Sequence, residues 1–523
     1  MRQIVEPRQQ RMFDPFDGVI SRAGWNRIAD GWQGVFREVV LELLPVERLA
    51  RHFHRDLGRP STELYALAGL VLIKEFQHWT VAEVVDAVLF RSDVQYALNL
   101  EPGFSISQRT VERYLAVFES DGALAQAIMV HVTDALARRL DLKVSQQRID
   151  STHVLSDMAS FGRTRMMGVA LKRFLHQVHR NTPDEFEALP EELRQRYAAS
   201  DKQLFADNST TAVLRIKTGG NVMQNPSDPD ATYSGHKGAG YQVQLSETCH
   251  PDNEVQLILA AIPQTAATTD GESLLPVLDE LASRGQAPQS LLADGIYGSD
   301  ENVREAAARG VELVSPVCGR KEKQAPDDLG PEDFVLDPLT NTVTACPAGL
   351  VPLESLYFAA TDRVTVKMPI ATGLSCPLLS RCAIQPQTEV SRLYFTTKEH
   401  RVGVRRQHQE TPEFRARYSK RSGIEGTNSG LKRRVGLGRL RVRGSPAVTN
   451  ALLLKVSGWN ILRASSTETL RAVVRERLLK AGRLGGLRAV FSHFASPGGR
   501  SSSLAPFPIA FLRHGLVLPL MAT

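Results

Sequence analysis

Three acidic residues, far apart in the chain, have the residue type and the setting of divalent-cation ligands. Asp150 closes a predicted strand in QRIDSTHV, Asp294 closes another in LLADGIYG, and Glu425 lies on a predicted helix. Carboxylates at the ends of neighbouring strands, joined by one from a helix that crosses the sheet, can hold two ions about 3.5 to 4 Å apart. Their oxygen atoms favour Mg²⁺ or Mn²⁺, which suits cleavage or transfer of a phosphodiester. The sequence therefore predicts a site with two divalent metal ions.

Each acid also has a purely structural interpretation. Asp150 precedes Ser-Thr and Asp294 precedes Gly, so both could be turn residues that accept local backbone hydrogen bonds. Glu425 could pair with Arg421 or Lys432 on a helix that only packs against a sheet. We favour the catalytic interpretation because the three acids occur in combination.

The segment around Glu425, YSKRSGIEGTNSGLKRR (418–434), otherwise carries only positive charge. On a helical wheel Tyr418, Arg421, Glu425 and Lys432 fall within a stripe of roughly 60°. The basic side chains of this segment, which ends in Lys432, Arg433 and Arg434, would hold a nucleic acid and screen its phosphate charge. Glu425 would then be the metal ligand of a helix that grips DNA.

Three glycines, Gly423, Gly426 and Gly430, gather on a different stripe of the same helix. Together they cost roughly 2 to 3 kcal/mol of helix propensity relative to alanine. Close approach of another backbone, from protein or from nucleic acid, would offset that cost.

Positive charge is concentrated near this helix. Residues 401–443 contain thirteen Lys or Arg and three acids, a net charge of +10, whereas the whole chain carries +6. The remaining residues therefore carry −4. Such a local field favours a polyanionic partner, since each neutralised phosphate releases counterions. A solvated basic face is the alternative.

The N-terminal residues 1–135 have the apolar spacing of helices. Ser105 and Gln108 form a capping pattern that opens one of them, and Arg109 and Arg113 turn away from its apolar face. A compact helical module of this kind suits a DNA-binding domain of the helix-turn-helix type, contacting DNA through the two arginines. A plain helical bundle is the alternative.

From about residue 140, strands alternate with helices. Three strand patterns are followed by helix, strand, helix and strand, which is the order of an α/β, ribonuclease-H-like core with a mixed sheet. A stretch rich in Pro, Gly and Cys then interrupts the pattern before the Glu425 helix. The predicted units are a helical domain (1–135), the first part of the core (136–317), an inserted subdomain (318–412), the catalytic and docking helices (413–463) and a tail of unknown role (464–523).

Composition favours a soluble protein in a reducing compartment. Five cysteines are too few and too unevenly spaced for a disulfide framework. The N-terminus lacks the apolar core of a signal peptide, and Pro508, Arg513, His514 and Pro519 break the apolar C-terminal run. We therefore expect a cytoplasmic protein without a membrane span.

These motifs resemble those of bacterial insertion-sequence transposases of the DDE type. Tyr418-x2-Arg421-x3-Glu425-x6-Lys432 matches their Tyr-Arg-Glu-Lys motif in full, and RIDSTHV and LLADGIYG resemble the blocks around their first two aspartates. PSDPDATYSGHKGAGYQVQLSET and GRPSTELYALAGLVLIKEF also resemble blocks of the insertion-sequence-five-like superfamily, in the branch with a long insertion before the glutamate helix. The resemblance covers about residues 50–463.

The resemblance implies a ribonuclease-H-like catalytic domain, two-metal DNA strand cleavage and strand transfer, and binding of terminal inverted repeats and target DNA. The catalytic metal ligands would be Asp150, Asp294 and Glu425. The residues that contact DNA near the cleaved end, or orient Glu425, would be Tyr418, Arg421 and Lys432. The same analogy implies a homodimer or a larger assembly on DNA.

The inserted subdomain departs from its relatives, which often carry paired cysteines. This chain has Cys346, Cys376 and Cys382, with Gly373 where a further partner would fall. Three thiols lack the fourth ligand of a tetrahedral zinc site, so we expect free, buried cysteines, although His400 could complete a site.

Two other functions stay open. The chain could be a decayed or repurposed transposase that binds repeat ends as a repressor, or a structure-selective nuclease that lacks strand transfer. The presence of all three carboxylates favours an active transposase.

Overall fold

A computed structural model describes residues 1–7, 14–157, 163–198, 224, 225, 227–319, 328–369, 375–384 and 390–484 of the chain. These residues form a mixed α/β structure in which many helices surround a six-stranded mixed sheet, with two smaller sheets beside it in the chain. Residues 199–223, within the predicted first part of the core, and the part of the predicted tail beyond residue 484 lie outside the described residues.

The main sheet has six strands. They are β1 (Gln146–Val154), β2 (Thr232–Ser234), β3 (Gly238–Thr248), β4 (Ile258–Thr265), β5 (Ser290–Leu292) and β6 (Glu312–Val314). β3 is antiparallel to both β1 and β4, and the short β2 also pairs with it. On the other side of β1, β5 and β6 run parallel to it and to each other, so the order across the sheet is β4-β3-β1-β5-β6.

The register of β1 places the two aspartates side by side. The prediction that Asp150 closes its strand is wrong, because β3 pairs with β1 as far as Val154. The parallel partner β5 ends at Leu292, opposite Arg148. Asp150 and Asp294 each follow this pair by two residues, so both reach the same level at the carboxyl end of the parallel strands.

Helices pack against both faces of the sheet, and each face contributes apolar side chains to a separate hydrophobic cluster. On one face, Ile149 of β1 packs with Leu274 and Leu278 of a helix that follows β4. On the other face, Val243 and Leu245 of β3 join a larger core. The side chains of Asp150 and its antiparallel partner Leu245 share this second face.

The helices in chain order are α1 (Arg22–Asp30), α2 (Trp32–Val35), α3 (Val46–Ala50), α4 (Leu64–Phe76), α5 (Val81–Phe90), α6 (Ser92–Ala97), α7 (Gln108–Ser120), α8 (Ala123–Arg139), α9 (Arg163–Asn181), α10 (Pro183–Glu187), α11 (Glu191–Ala198), α12 (Leu274–Ser283), α13 (Asp300–Ala308), α14 (Thr397–Gln409), α15 (Pro412–Tyr418), α16 (Gly423–Arg434), α17 (Ser445–Ala464) and α18 (Glu468–Lys480). The cap of α7 is Ser107 rather than the predicted Ser105, since the Ser107 hydroxyl accepts the Thr110 backbone N–H. No single described helix has the length and apolarity of a membrane span; α7 and α8 meet that criterion only as a pair bent by 88°.

The N-terminal helices share one hydrophobic core with the C-terminal helices of the described chain. α17 packs against α4 and α8, and α18 packs against α1 and α2. The buried Lys455 ammonium of α17 donates to the backbone oxygens of Glu75 (2.7 Å) and Val435 (2.9 Å), and so ties the end of α4 to the residue after α16. The predicted domain boundary at residue 135 stays a prediction; this residue lies within α8, and helices before and after α8 pack into the common core.

The residues between β6 and α14 form two small sheets with a hydrophobic cluster of their own. β7 (Val335–Leu336) pairs with β8 (Val343–Ala345), and β9 (Glu354–Phe358), β10 (Arg363–Met368) and β11 (Ser391–Thr396) form an antiparallel sheet. Their buried cluster includes Phe334, Val364, Val366 and Phe395. The chain then returns to the main sheet through α14 and α15.

Candidate active site

Glu425 lies on α16, which begins later than the sequence predicted. The segment 418–434 is not one regular helix, because α15 ends at Tyr418 and a 3₁₀ turn, Ser419–Ser422, separates it from α16. The hydroxyls of Ser419 and Ser422 donate to the backbone oxygens three residues earlier, which competes with the regular helical pattern. Arg421 therefore lies on a tight turn at the entrance to α16.

The guanidinium of Arg421 brings the three predicted metal ligands together. Its Nη2 is 3.2 Å from Asp150 Oδ1 and 4.0 Å from Asp294 Oδ2, and its Nη1 is 3.1 Å from Glu425 Oε1. The Arg421–Glu425 pair of the structural interpretation is thus present. The same guanidinium also contacts both aspartates, so the pair belongs to a larger group: three acids around one arginine, hereafter the acid trio.

The two aspartates are held by neighbouring polar groups. Asn428 of α16 donates from Nδ2 to Asp150 Oδ2 at 2.9 Å, while its Oδ1 is buried without a hydrogen-bond partner among the described residues. Burial raises the pKa of Asp150, and the charge of Arg421 opposes that shift. Asp294 caps a 3₁₀ turn by accepting the Ile296 N–H at 2.9 Å, as its turn interpretation predicted.

Exposure differs within the acid trio. The side chain of Asp150 is 16% exposed and that of Asp294 27%, whereas that of Glu425 is 65% exposed. The two strand acids therefore form the floor of the site, and Glu425 stands on its solvent side.

A buried ion network that the sequence did not indicate docks α16 on the sheet. Glu247 of β3 is fully buried and accepts hydrogen bonds from Arg148 Nε (2.8 Å), Thr427 Oγ1 (2.7 Å) and Arg463 Nη1 (2.6 Å). Arg148 also donates to the Lys420 backbone oxygen at 2.9 Å. The network ties β1, β3, the turn before α16, α16 and α17 into one unit. Glu247 lies in the PSDPDATYSGHKGAGYQVQLSET block, but nothing in that block indicated a buried charge, and its position opposite Arg148 is known only from the strand register.

The glycines of α16 have two different environments. A Cβ at Gly423 would lie 1.9 Å from Arg148 Nη1, and one at Gly430 would lie 2.3 Å from the Trp459 ring. Close approach therefore explains both glycines, although the neighbours are side chains and not the backbone that the sequence predicted. A Cβ at Gly426 would meet nothing within 4 Å, so this glycine, next to Glu425, faces open space.

A second polar cluster lies on the opposite face of β1, behind the acid trio. Lys237 Nζ contacts Asp270 (3.1 Å), Ser151 Oγ (2.6 Å) and Gln242 Oε1 (3.2 Å). Asp270 also accepts from Gln244 Nε2 at 3.0 Å. Lys237 belongs to the SGHKGAG stretch, and its role there could not be inferred from the sequence alone.

The predicted DNA-contacting residues fall into two groups. Lys432, Arg433 and Arg434, at the end of α16, are exposed, and Tyr418 is half-buried and stacks on Phe414 with 5.6 Å between ring centroids. Arg109 and Arg113 are also exposed, on α7. Within the described residues no hydrogen bond or ion pair joins Arg109 or Arg113 to the acid trio.

The donor set of the acid trio suits hard cations, but Arg421 stands within it. Three carboxylates and the unpartnered Asn428 Oδ1 are the oxygen donors that Mg²⁺ and Mn²⁺ prefer. In the described part of the chain, no three His, Cys, Asp or Glu side chains lie close enough to hold a metal ion. The residue types fit the predicted ions, whereas their present spacing is set by a guanidinium.

Cys346, Cys376 and Cys382 are free thiols, of which Cys346 is buried and the other two are half-buried. Cys346, Cys376 and Cys382 line one small apolar pocket, in which burial raises the pKa of Cys382. His400, which could have completed a zinc site, makes a 2.9 Å contact from Nε2 to the Phe334 backbone oxygen.

The segment that contains Glu425 matches a known protein family. Residues 346–464 match the family model of the transposase DDE domain. The match runs from the residue after β8 to the end of α17. It supports a DDE transposase as the class of protein. No curated protein matches the chain.

Among solved structures, the chain is similar to the cryo-EM structure of a piggyBac transposase synaptic complex with hairpin DNA. The TM-score is 0.31 with 11% identity, over 93% of this chain and 88% of that one. A likeness this weak does not inform on fold or function.

Proposed function

We propose that this protein is a DNA transposase that cleaves and transfers DNA strands at the terminal inverted repeats of an insertion sequence, with Asp150, Asp294 and Glu425 as its metal ligands. The observation that carries the proposal is the meeting of these three acids around Arg421. They come from positions separated by more than a hundred residues, and one of them lies in the segment that matches a transposase DDE domain.

The topology of the main sheet supports a ribonuclease-H-like core. Its first three long strands, β1, β3 and β4, form an antiparallel meander, and the next two, β5 and β6, add in parallel on the other side of β1. The two aspartates follow the central parallel pair, where the carboxyl ends of strands form ligand sites in such sheets. The inserted residues separate this sheet from the helix that supplies the third acid.

The roles of the chain's own residues follow from their positions. A pair of divalent ions bound to the trio would activate the attacking oxygen and stabilise the leaving oxygen of a phosphodiester. Asn428 orients Asp150 through its 2.9 Å hydrogen bond. The Glu247 network fixes α16 against the sheet and so fixes the distance from Glu425 to the aspartates. Lys432, Arg433 and Arg434 extend the same helix as exposed phosphate contacts.

The proposal includes the partners and the compartment. Double-stranded DNA is the polyanion that the +10 segment would bind. By analogy with the family it resembles, the protein would act as a homodimer or a larger assembly on DNA. The exposed Arg109 and Arg113 on α7 would contribute to end binding. Such a protein would act in the cytoplasm, where the chromosome is accessible.

The proposal is tested by incubating the protein with labelled DNA that flanks its coding sequence, with Mg²⁺ or Mn²⁺. We expect metal-dependent nicking and joining by the wild type, and none by Asp294→Ala. Asp279→Ala is the matched control. Asp279 is an exposed residue of α12 that pairs with Arg309, and its replacement should leave cleavage intact. Nicking that persists in Asp294→Ala contradicts the assigned site. Binding without cleavage by the wild type indicates the repressor, and cleavage without joining indicates the nuclease.

A further inference from the structure

Arg421 occupies the position that bound cations would need. It is the one described cation with contacts to all three acids, which together carry three negative charges. One guanidinium neutralises a single charge, so the group keeps a net charge of −2 and still attracts cations. A pair of divalent ions between the same oxygens would repel a guanidinium at contact distance.

The guanidinium has few other anchors. Its side chain is 15% exposed, and Nε is buried without a hydrogen-bond partner among the described residues. Among the described residues, the polar contacts of the guanidinium are with the three carboxylates of the trio. Arg421 also lies on a short 3₁₀ turn outside the regular part of α16, so a movement of its side chain would not break a hydrogen bond of that helix.

The solvent-exposed side of the site leaves room for a second anion to contact the guanidinium. Glu425 is 65% exposed, Gly426 faces open space, and Lys432 is exposed on the same helix. DNA that approaches this side would present phosphate oxygens, which accept the planar fork of an arginine in a bidentate manner.

We propose that Arg421 is an exchangeable counter-ion of the acid trio: it holds the three carboxylates together until divalent ions bind, and then moves to a DNA phosphate. This inference rests on the proposed function. Its consequence is that metal binding and DNA binding become mutually favourable, because each ligand stabilises the arrangement with Arg421 outside the trio. The protein would therefore bind metal weakly until DNA is present, which suppresses cleavage at stray sites.

The test is a Mn²⁺ titration followed by electron paramagnetic resonance, on full-length protein without DNA. Removal of the guanidinium in Arg421→Gln should tighten Mn²⁺ binding by roughly tenfold or more, because a repelling charge is lost. Arg421→Lys keeps the charge but cannot bridge three acids, so its affinity should lie between the two. Arg417→Gln is the matched control, since Arg417 pairs with Glu312 at 2.5 Å and should leave the affinity unchanged. Weaker Mn²⁺ binding in Arg421→Gln would show that Arg421 only positions the ligands, and would overturn the inference.

Two further readouts complete the test. In EDTA, Arg421→Gln should melt at a lower temperature than the wild type, and added Mn²⁺ should remove this difference. A short DNA duplex should raise Mn²⁺ affinity more in the wild type than in Arg421→Gln; an equal rise in both contradicts the exchange. The proposed function fails separately, if Mn²⁺ binding is the same in the wild type and in Asp150→Asn.

Discussion

At the scale of single residues, the glycines of α16 are of two kinds. Packing requires a glycine at some of these positions, and at Gly426 it does not. Gly430 faces Trp459 at a distance that no side chain tolerates, whereas Gly426 faces open space beside Glu425. A glycine in a helix costs about 1 kcal/mol relative to alanine, and packing offsets this cost only at the first of these positions. If the proposed function is correct, close approach of DNA would account for Gly426.

We therefore expect Gly426→Ala to stabilise the fold by about 0.5 to 1 kcal/mol and to weaken DNA binding. Gly430→Ala is the matched comparison and should destabilise the fold, because its Cβ would lie 2.3 Å from Trp459. Urea denaturation and a DNA-binding titration of both variants measure the two effects. Unchanged DNA binding by a stabilised Gly426→Ala would remove the functional reason for this glycine.

The candidate site could be predicted at this scale because its signals are local. Asp150, Asp294 and Glu425 were identified from residue type and from strand or helix patterns within about ten residues, and the Arg421–Glu425 pair from its spacing. The true end of β1 could not be predicted, since it depends on pairing with β3 nearly a hundred residues later. The cap of α7 was misplaced because Ser105 and Ser107 both fit the capping pattern.

At the scale of elements, Glu247 determines how α16 sits on the sheet. A glutamate within a strand of mixed character gives no sign of burial, and only the docking of α16 and α17 removes it from solvent. This is why sequence patterns did not reveal it. The buried charge is balanced by Arg148 and Arg463, and replacing one partner of such a network leaves the others uncompensated.

Glu247→Ala should lower the free energy of unfolding by about 3 to 5 kcal/mol, because Arg148 is left buried without its carboxylate. Glu312→Ala serves as the control: this acid pairs with Arg417 on the surface, where such pairs contribute about 0 to 1 kcal/mol. Guanidinium denaturation of both variants gives the comparison. Equal losses in the two variants would argue against the network as the anchor of α16.

At the scale of the whole molecule, charge is segregated rather than spread. The basic segment 401–443 includes the exposed end of α16, while several of its arginines are engaged by acids elsewhere, as in Arg441 with Glu83 and Arg443 with Asp157. Fewer cations are therefore free for DNA than the net charge of +10 indicates. The sequence predicted the sign and place of this surface, but the pairings that reduce it require the fold.

DNA affinity should fall linearly with the logarithm of salt concentration, with a slope of about −0.9 for each phosphate contact. Replacing Lys432, Arg433 and Arg434 together with alanine should make this slope less steep by roughly two to three units, because each exposed cation neutralises one phosphate. Arg443→Ala, which removes a cation paired with Asp157, should change it least. Fluorescence anisotropy over a salt series measures the slopes, and an unchanged slope in the triple variant would place the DNA elsewhere.

The central claim is that Asp150, Asp294 and Glu425 bind divalent ions at one point. Fe²⁺ accepts the same oxygen ligands as Mg²⁺, and with ascorbate and peroxide it cuts the polypeptide beside its binding site. The most direct measurement is therefore to map these cuts on full-length protein. We predict cuts near residues 150, 294 and 425 together, suppressed by excess Mg²⁺ and reduced in Glu425→Gln. Cuts that miss these three places, or that Mg²⁺ does not suppress, would contradict the account.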